Sequence, residues 1–155
     1  MILGVDPGLS GALALFDAER GELIVMDMPV VTVTKGKKSK SEVSPSMVAA
    51  CLRPYMSKIE RAFIERVGAM PGQGVTSMFS FGRSLGVVEG VIATLGVPIF
   101  YTTPQQWQGF VRIKGKEEAR GRAAALFPRF ADQFARVKDD GRADAALIAF
   151  YGEAM

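Results

Sequence analysis

The sequence predicts an α/β sandwich built on a mixed sheet, and three observations carry that expectation. The chain opens on a meander of short apolar runs separated by turn residues. Strands and helices alternate after it. Arg61 to Val67 is short, apolar and bounded by loops, the pattern of a central strand covered on both faces.

Taken in order, residues 2 to 16 read as an apolar strand interrupted at Asp6-Pro7-Gly8 and resumed through Ala12-Leu13-Ala14-Leu15-Phe16. Asp17 to Gly21 is turn-like and Glu22 to Met28 returns as a strand, which makes the opening an antiparallel meander. The segment Lys35-Gly36-Lys37-Lys38-Ser39-Lys40 reads as a flexible loop, flanked by a short strand at Val30 to Thr34. Ser44-Pro45 has the form of an N-cap with proline at the first helical position, and Met47, Val48, Cys51, Leu52, Tyr55 and Met56 recur behind it at helical spacing. After the strand at Arg61 to Val67, the loop Gly68 to Gly74 leads into a helix over Thr76 to Leu95. Gly96 to Tyr101 is a further strand, Thr103-Pro104 caps a short helix, Lys116 to Phe127 is another helix, and Asp140 to Glu153 is the last.

A chain of 155 residues fits one domain with a full-sized core. It has no histidine, which excludes a Ser-His-Asp triad, a histidine general base and every histidine-bearing zinc arrangement. The single cysteine, Cys51, falls in the apolar pattern of the first helix and reads as a small core residue. No run is long and apolar enough to span a bilayer and no signal-type segment opens the chain, so the expectation is a soluble protein of a reducing cytoplasm. The formal charge is +3, with basic residues gathered at Lys35 to Lys40 and at Arg112, Lys114, Lys116, Arg120 and Arg122. Such clusters suit phosphate backbones, and a solvated loop or helix face produces them equally well.

Three acids stand where a fold rarely places charge: Asp6 at the end of the first apolar run, Glu65 inside Phe63-Ile64-Glu65-Arg66-Val67, and Asp144 in Arg142-Ala143-Asp144-Ala145-Ala146-Leu147. Burying a carboxylate without a partner is costly, so the three ask for a shared counter-charge, and a divalent cation is the simplest one. With histidine absent, hard oxygen ligands remain; these suit magnesium or manganese. Strand alternation puts Phe63 and Glu65 on one face, Ile64 and Arg66 on the other. Asp140 and Asp144, four residues apart on the last helix, share a face whose alanines allow close approach to the sheet. If the strands of Asp6 and Glu65 are neighbours, Asp6, Glu65, Asp140 and Asp144 form a cluster suited to two metals and in-line attack on a phosphodiester. Three of these acids also have a plain structural explanation: a turn start for Asp6, an arginine partner for Glu65, an N-cap for Asp140. Asp139 competes with Asp140 for the fourth position.

The strings Gly4-Val5-Asp6-Pro7-Gly8-Leu9-Ser10-Gly11-Ala12, Ile64-Glu65-Arg66 and Asp140-Gly141-Arg142-Ala143-Asp144-Ala145-Ala146-Leu147 together resemble a RuvC-type Holliday junction resolvase, in the short form found in phages and related bacterial elements. The resemblance runs in order over nearly the whole chain. It implies a ribonuclease-H-like fold with a mixed five-stranded sheet flanked by helices, a homodimer, and magnesium-dependent cutting of two symmetric strands at a four-way DNA junction, in a bacterial cell or a phage-infected one. Carried over, the family's first aspartate falls on Asp6, its glutamate on Glu65 and its final helix aspartate on Asp144. The best-known members place the preceding acid three residues before the last, which here is Gly141. The short forms often carry histidine where Asp140 stands, so the fourth position stays open between Asp139 and Asp140.

The loop after Glu65 is where such resolvases insert an apolar side chain at the junction centre, and Met70 is its only large apolar residue; packing back on the core is the equal alternative. Phosphate contacts are expected from Arg83, Lys114, Lys116 and the lysine segment, Lys37 and Lys38 included. Trp107 reads as core packing rather than as a base-stacking group. In the long helix, Met78, Phe81, Leu85, Val88, Ile92 and Leu95 form an apolar stripe that faces the sheet or a partner helix. Gly82, Gly86 and Gly90 form a second row, where another backbone comes close from a partner or from within the subunit. The intact acidic set argues against a non-catalytic DNA-binding module, and two other functions share these residues. One is a nuclease of the same fold for forks, flaps or RNA. The other is an actin-like nucleotide-binding protein, whose first phosphate loop the Gly-Val-Asp-Pro-Gly opening also resembles, although the required second domain and second glycine-rich loop are missing.

Overall fold

Apolar residues on both faces of Ile2–Asp6 and Arg61–Glu65 place these two strands at the middle of the fold. The computed structural model describes every residue except 67, 69–71 and 73, with Lys35 and Lys116 described through their backbone. In chain order the elements are β1 (Ile2–Asp6), β2 (Ala12–Asp17), β3 (Glu22–Asp27), β4 (Val30–Lys35), β5 (Lys38–Val43), α1 (Pro45–Leu52), β6 (Arg61–Glu65), α2 (Val75–Thr94), β7 (Ile99–Thr102), α3 (Pro104–Val111), α4 (Lys116–Leu126) and α5 (Asp140–Glu153). The main sheet has five strands in the order β3-β2-β1-β6-β7. Its first three strands form the expected antiparallel meander, and β1, β6 and β7 run parallel. The sheet is therefore mixed.

Strand alternation divides the core in two. Ile2 and Phe63 point to one face, where Trp107 of α3, Ala119 of α4, Phe127 just after α4 and Leu147 of α5 belong to the same buried cluster. Leu3, Val5 and Ile64 point to the other, under Val48 and Leu52 of α1 and Val88 and Ile92 of α2. The apolar stripe of α2 thus serves its own subunit's core through Leu85, Val88, Ile92 and Leu95. Cys51 packs at the margin of the same cluster.

Helix α5 lies close against β1 because small residues line its inner face. A Cβ on Gly4 would collide with the backbone of Ala145 and Ala149, and one on Gly141 would collide with the carbonyl of Ser10. Glycine at these two positions is what lets the helix approach far enough to bury Asp144, which is 2% exposed.

The capping signals form as expected. Ser44 Oγ accepts the Met47 N–H ahead of α1, and Thr103 and Gln106 form a reciprocal capping box at the start of α3. The lysine segment departs from the expected loop. It is the tip of a hairpin, in which β4 and β5 pair from Val30↔Val43 to Lys35↔Lys38 around Gly36 at φ 62° and Lys37. Glycine at the first central position of a two-residue turn suits such a hairpin, and solvent on the lysine side removes any need for an apolar strand pattern there. An ion pair between Arg83 and Glu42 ties the hairpin to α2. Strand β6 ends at Glu65, and Val67, the expected strand end, lies outside the described residues. Short 3₁₀ turns at Arg53–Tyr55, Pro128–Phe134 and Val137–Asp139 were not foreseen. Among the described residues no helix is long and apolar enough to cross a membrane.

Candidate active site

Asp6 closes β1 and Glu65 closes β6, and the parallel register Val5↔Ile64 makes the two acids neighbours at the same end of the sheet. Asp6 shares its side of the pleat with Ile2 and Gly4, and Glu65 shares its side with Phe63, so both carboxylates rise on the face that α5 covers. Around them opens a cleft of about 670 Å³, lined also by Asp27, Asp139, Asp140 and the chain from Gly8 to Gly11. Asp144, one turn into α5 from Asp140, is buried in the helix-sheet seam rather than on the cleft wall.

The carboxylates differ in what holds them. Asp6 Oδ1 accepts the Gly8 N–H at 3.2 Å, so the turn role considered for it exists alongside its place in the cleft. Glu65 Oε1 accepts the indole N–H of Trp107 at 2.8 Å. Arg66, next in the chain, lies over the Tyr101 ring at 5.6 Å. Asp139 is almost fully buried and takes the Arg136 guanidinium on both oxygens, with the Arg136 backbone N–H added on Oδ2. Those bonds, the side-chain one foremost, hold its carboxyl below the usual aspartate range. Asp27 is held low in the same way by its paired bonds from Arg142. Asp140 makes one ion pair, with Arg120 Nε at 2.8 Å, and its side chain is 41% exposed. It is the first residue of α5, and Asp139 occupies the N-cap position without a capping bond. Among the described residues, no group of three or more Asp, Glu, His or Cys side chains is gathered tightly enough to hold a metal ion.

The expected DNA contacts are scattered by comparison. Lys37 sits in the hairpin turn and Lys38 opens β5, both exposed. Arg83 is half exposed and paired with Glu42 rather than held ready for phosphate. Lys114 is exposed ahead of α4, and Lys116 is that helix's first residue. Met70 lies outside the described residues. The glycine row faces outward: a Cβ on Gly82, Gly86 or Gly90 would meet nothing within 4 Å, which removes close packing inside the subunit as its explanation. Sequence reasoning missed two features of the cleft. Phe81 of the apolar stripe lines it, and Trp107 reaches Glu65. A signal for the second existed, since a buried tryptophan needs a partner for its N–H, but choosing the partner required the β6–β7 register.

No protein-family model matches the chain. It is 31% identical over 159 residues to the Holliday junction resolvase MOC1, chloroplastic, of Chlamydomonas reinhardtii, a match that takes in 86% of this chain and 18% of that protein. The chain thus spans less than a fifth of that relative's length. Among solved structures, that of Thermus thermophilus RuvC matches with a TM-score of 0.60 at 17% identity, over 99% of this chain and 95% of its own. T. thermophilus RuvC in complex with Holliday junction substrate matches with a TM-score of 0.61, also at 17% identity, over 97% and 90%. At that identity the likeness establishes the fold, the ribonuclease-H-like arrangement of RuvC.

Proposed function

The chain has the RuvC fold and is a sequence relative of a Holliday junction resolvase, and from that premise we propose that it is a metal-dependent endonuclease that cuts symmetric strands of four-way DNA junctions. The observation that carries this reading is the convergence of Asp6 and Glu65, from adjacent parallel strands, on the seam where α5 buries Asp144 and presents Asp140. Such a donor set is all carboxylate, which fits a hard cation and no soft one. Asp6, Glu65, Asp144 and Asp140 would hold it, Asp140 by turning from Arg120. Bound magnesium ions, or manganese in their place, would supply water activation and stabilisation of the leaving oxygen. The chain's own part is to fix the acids on rigid elements and to offer the cleft that a phosphodiester would enter.

The remaining parts of the reading belong with this one. The 155 residues act as one nuclease unit, supported by a single central sheet with a core on each face. Paired cuts need two sites related by a two-fold axis, so the working form is a homodimer. The outward face of α2 supports this, with Val75 78% and Phe79 71% exposed beside the glycine row. Lys37, Lys38, Lys114, Lys116 and Arg83 steer and hold phosphates, and Met70 wedges the junction centre. The short-form resemblance and the lone thiol Cys51 support a reducing bacterial or phage-infected cytoplasm.

Incubation with a mobile four-way junction, a fork and a linear duplex of matched sequence, with magnesium or with chelator, tests the proposal. Paired nicks in the junction, dependent on magnesium, are expected. Asp6→Asn, Glu65→Gln and Asp144→Asn should each abolish cutting while junction binding persists or tightens, because lost negative charge lowers repulsion toward phosphate. Near wild-type cutting in two of the three overturns the metal site, and preferential cutting of the fork transfers the enzyme to that substrate.

A further inference from the structure

Trp107 is the only tryptophan in the chain and is wholly buried, yet its ring is not simply core filling. Its Nε1 donates to Glu65 Oε1 at 2.8 Å, across 42 residues of sequence. That length is a well-formed N–H···O hydrogen bond. The backbone leaves the indole little choice. Glu65 pairs with Thr102 in the β6–β7 register, and the capping box at Thr103 starts α3 directly after it. Trp107 therefore falls one turn into a helix that begins beside Glu65, and its ring belongs to the buried cluster that includes Val111 and Ala146. A phenylalanine would keep an aromatic ring in part of that space, but it carries no N–H.

We propose that Trp107 is a positioning residue for the metal site: its indole N–H commits one oxygen of Glu65 and fixes the plane of that carboxylate toward the cleft. This rests on the reading of Glu65 as a metal ligand. A glutamate at the end of a strand has three side-chain torsions, and holding one oxygen removes most of that freedom before a cation arrives. Outer partners that orient metal-binding side chains commonly change metal affinity or activity by about 10- to 100-fold when removed. The same contact makes Trp107 a reporter, because the charge beside a lone indole changes when a cation meets Glu65.

Two measurements test this together. Titrating magnesium into DNA-free wild-type protein should change the intensity or wavelength of tryptophan emission, and Glu65→Gln should abolish the response while circular dichroism stays that of the wild type. Trp107→Phe should raise the magnesium concentration for half-maximal junction cutting by about tenfold, with the rate recovered at high magnesium and metal-free junction binding unchanged. A merely structural defect would not be rescued by cation. The inference is overturned if Trp107→Phe cuts with the wild-type magnesium dependence or with a loss that magnesium does not restore. It is equally overturned if emission ignores magnesium in a protein that cuts junctions. Should Trp107→Phe fail to fold, the emission titration decides alone. If the wild type cuts no junction at any magnesium concentration, the proposed function falls, and an emission response lost in Glu65→Gln would still uphold the Trp107–Glu65 coupling at a cation site.

Discussion

Asp139 and Asp140 are neighbours in the chain with opposite surroundings. Asp139 spends both oxygens on Arg136, and its side chain is 2% exposed. Asp140 spends one oxygen on Arg120 and looks into the cleft. The two substitutions should therefore separate. Asp139→Asn is expected to cost about 1–3 kcal/mol in urea denaturation, the range for leaving a buried hydrogen-bonded group unmatched, with a smaller effect on cutting. Asp140→Asn should leave stability nearly unchanged and slow cutting by at least about tenfold. A second residue prediction lies at the far end of the sheet, where the side chain and backbone N–H of Arg20 hold the Asp17 carboxyl below its ordinary value of 3.8. A carboxyl held low in the folded state adds stability that is complete above the unfolded value and fades as pH falls through the folded one. The melting temperature of Asp17→Asn should accordingly lie below wild type from pH 5 to 7, and the gap should close below pH 3.8.

The decisive element contact is α5 against β1, since it sets how deeply Asp144 is carried into the seam. Gly4→Ala places a methyl against the α5 backbone at Ala145 and Ala149, which cannot yield as a flexible side chain would. Overpacking of this kind typically costs about 1–3 kcal/mol, and cutting should fall further than junction binding as the helix is pushed from the acids. The same substitution at Gly121, on α4 with open space around it, should have the opposite sign, a gain of up to about 1 kcal/mol from helix propensity. Chemical denaturation of the pair reads both effects. The hairpin β4–β5 is the element that composition concealed: four lysines between residues 35 and 40 look like a solvated loop, whereas both strands need only backbone pairing and solvent.

Across the whole molecule, charge and assembly are the testable quantities. Junction affinity should fall steeply with salt, and neutralising Lys35, Lys37, Lys38 and Lys40 together should flatten the log-log slope by roughly 0.9 for each lysine that contacts a phosphate. An unchanged slope would leave the hairpin tip out of the interface. The glycine row on α2 faces open space within the subunit. If a second copy covers it, Gly86→Leu should yield a folded monomer by sedimentation that binds junctions weakly and makes single rather than paired nicks. A variant that stays dimeric moves the dimer surface elsewhere.

By itself the sequence determined what depends on local pattern. Period-two alternation put Glu65 on the side of Phe63, the serine and threonine caps opened α1 and α3, and the run of small residues set α5 at Asp140–Glu153. These are properties of one strand or one helix, decided by backbone geometry within a few residues. The tertiary structure alone decided partnerships between distant segments. It paired Trp107 with Glu65 and Arg120 with Asp140, and it turned the glycine row outward. Each of those depends on which strands lie side by side, in what register and how closely a helix packs over them. No residue carries that information until the chain is assembled.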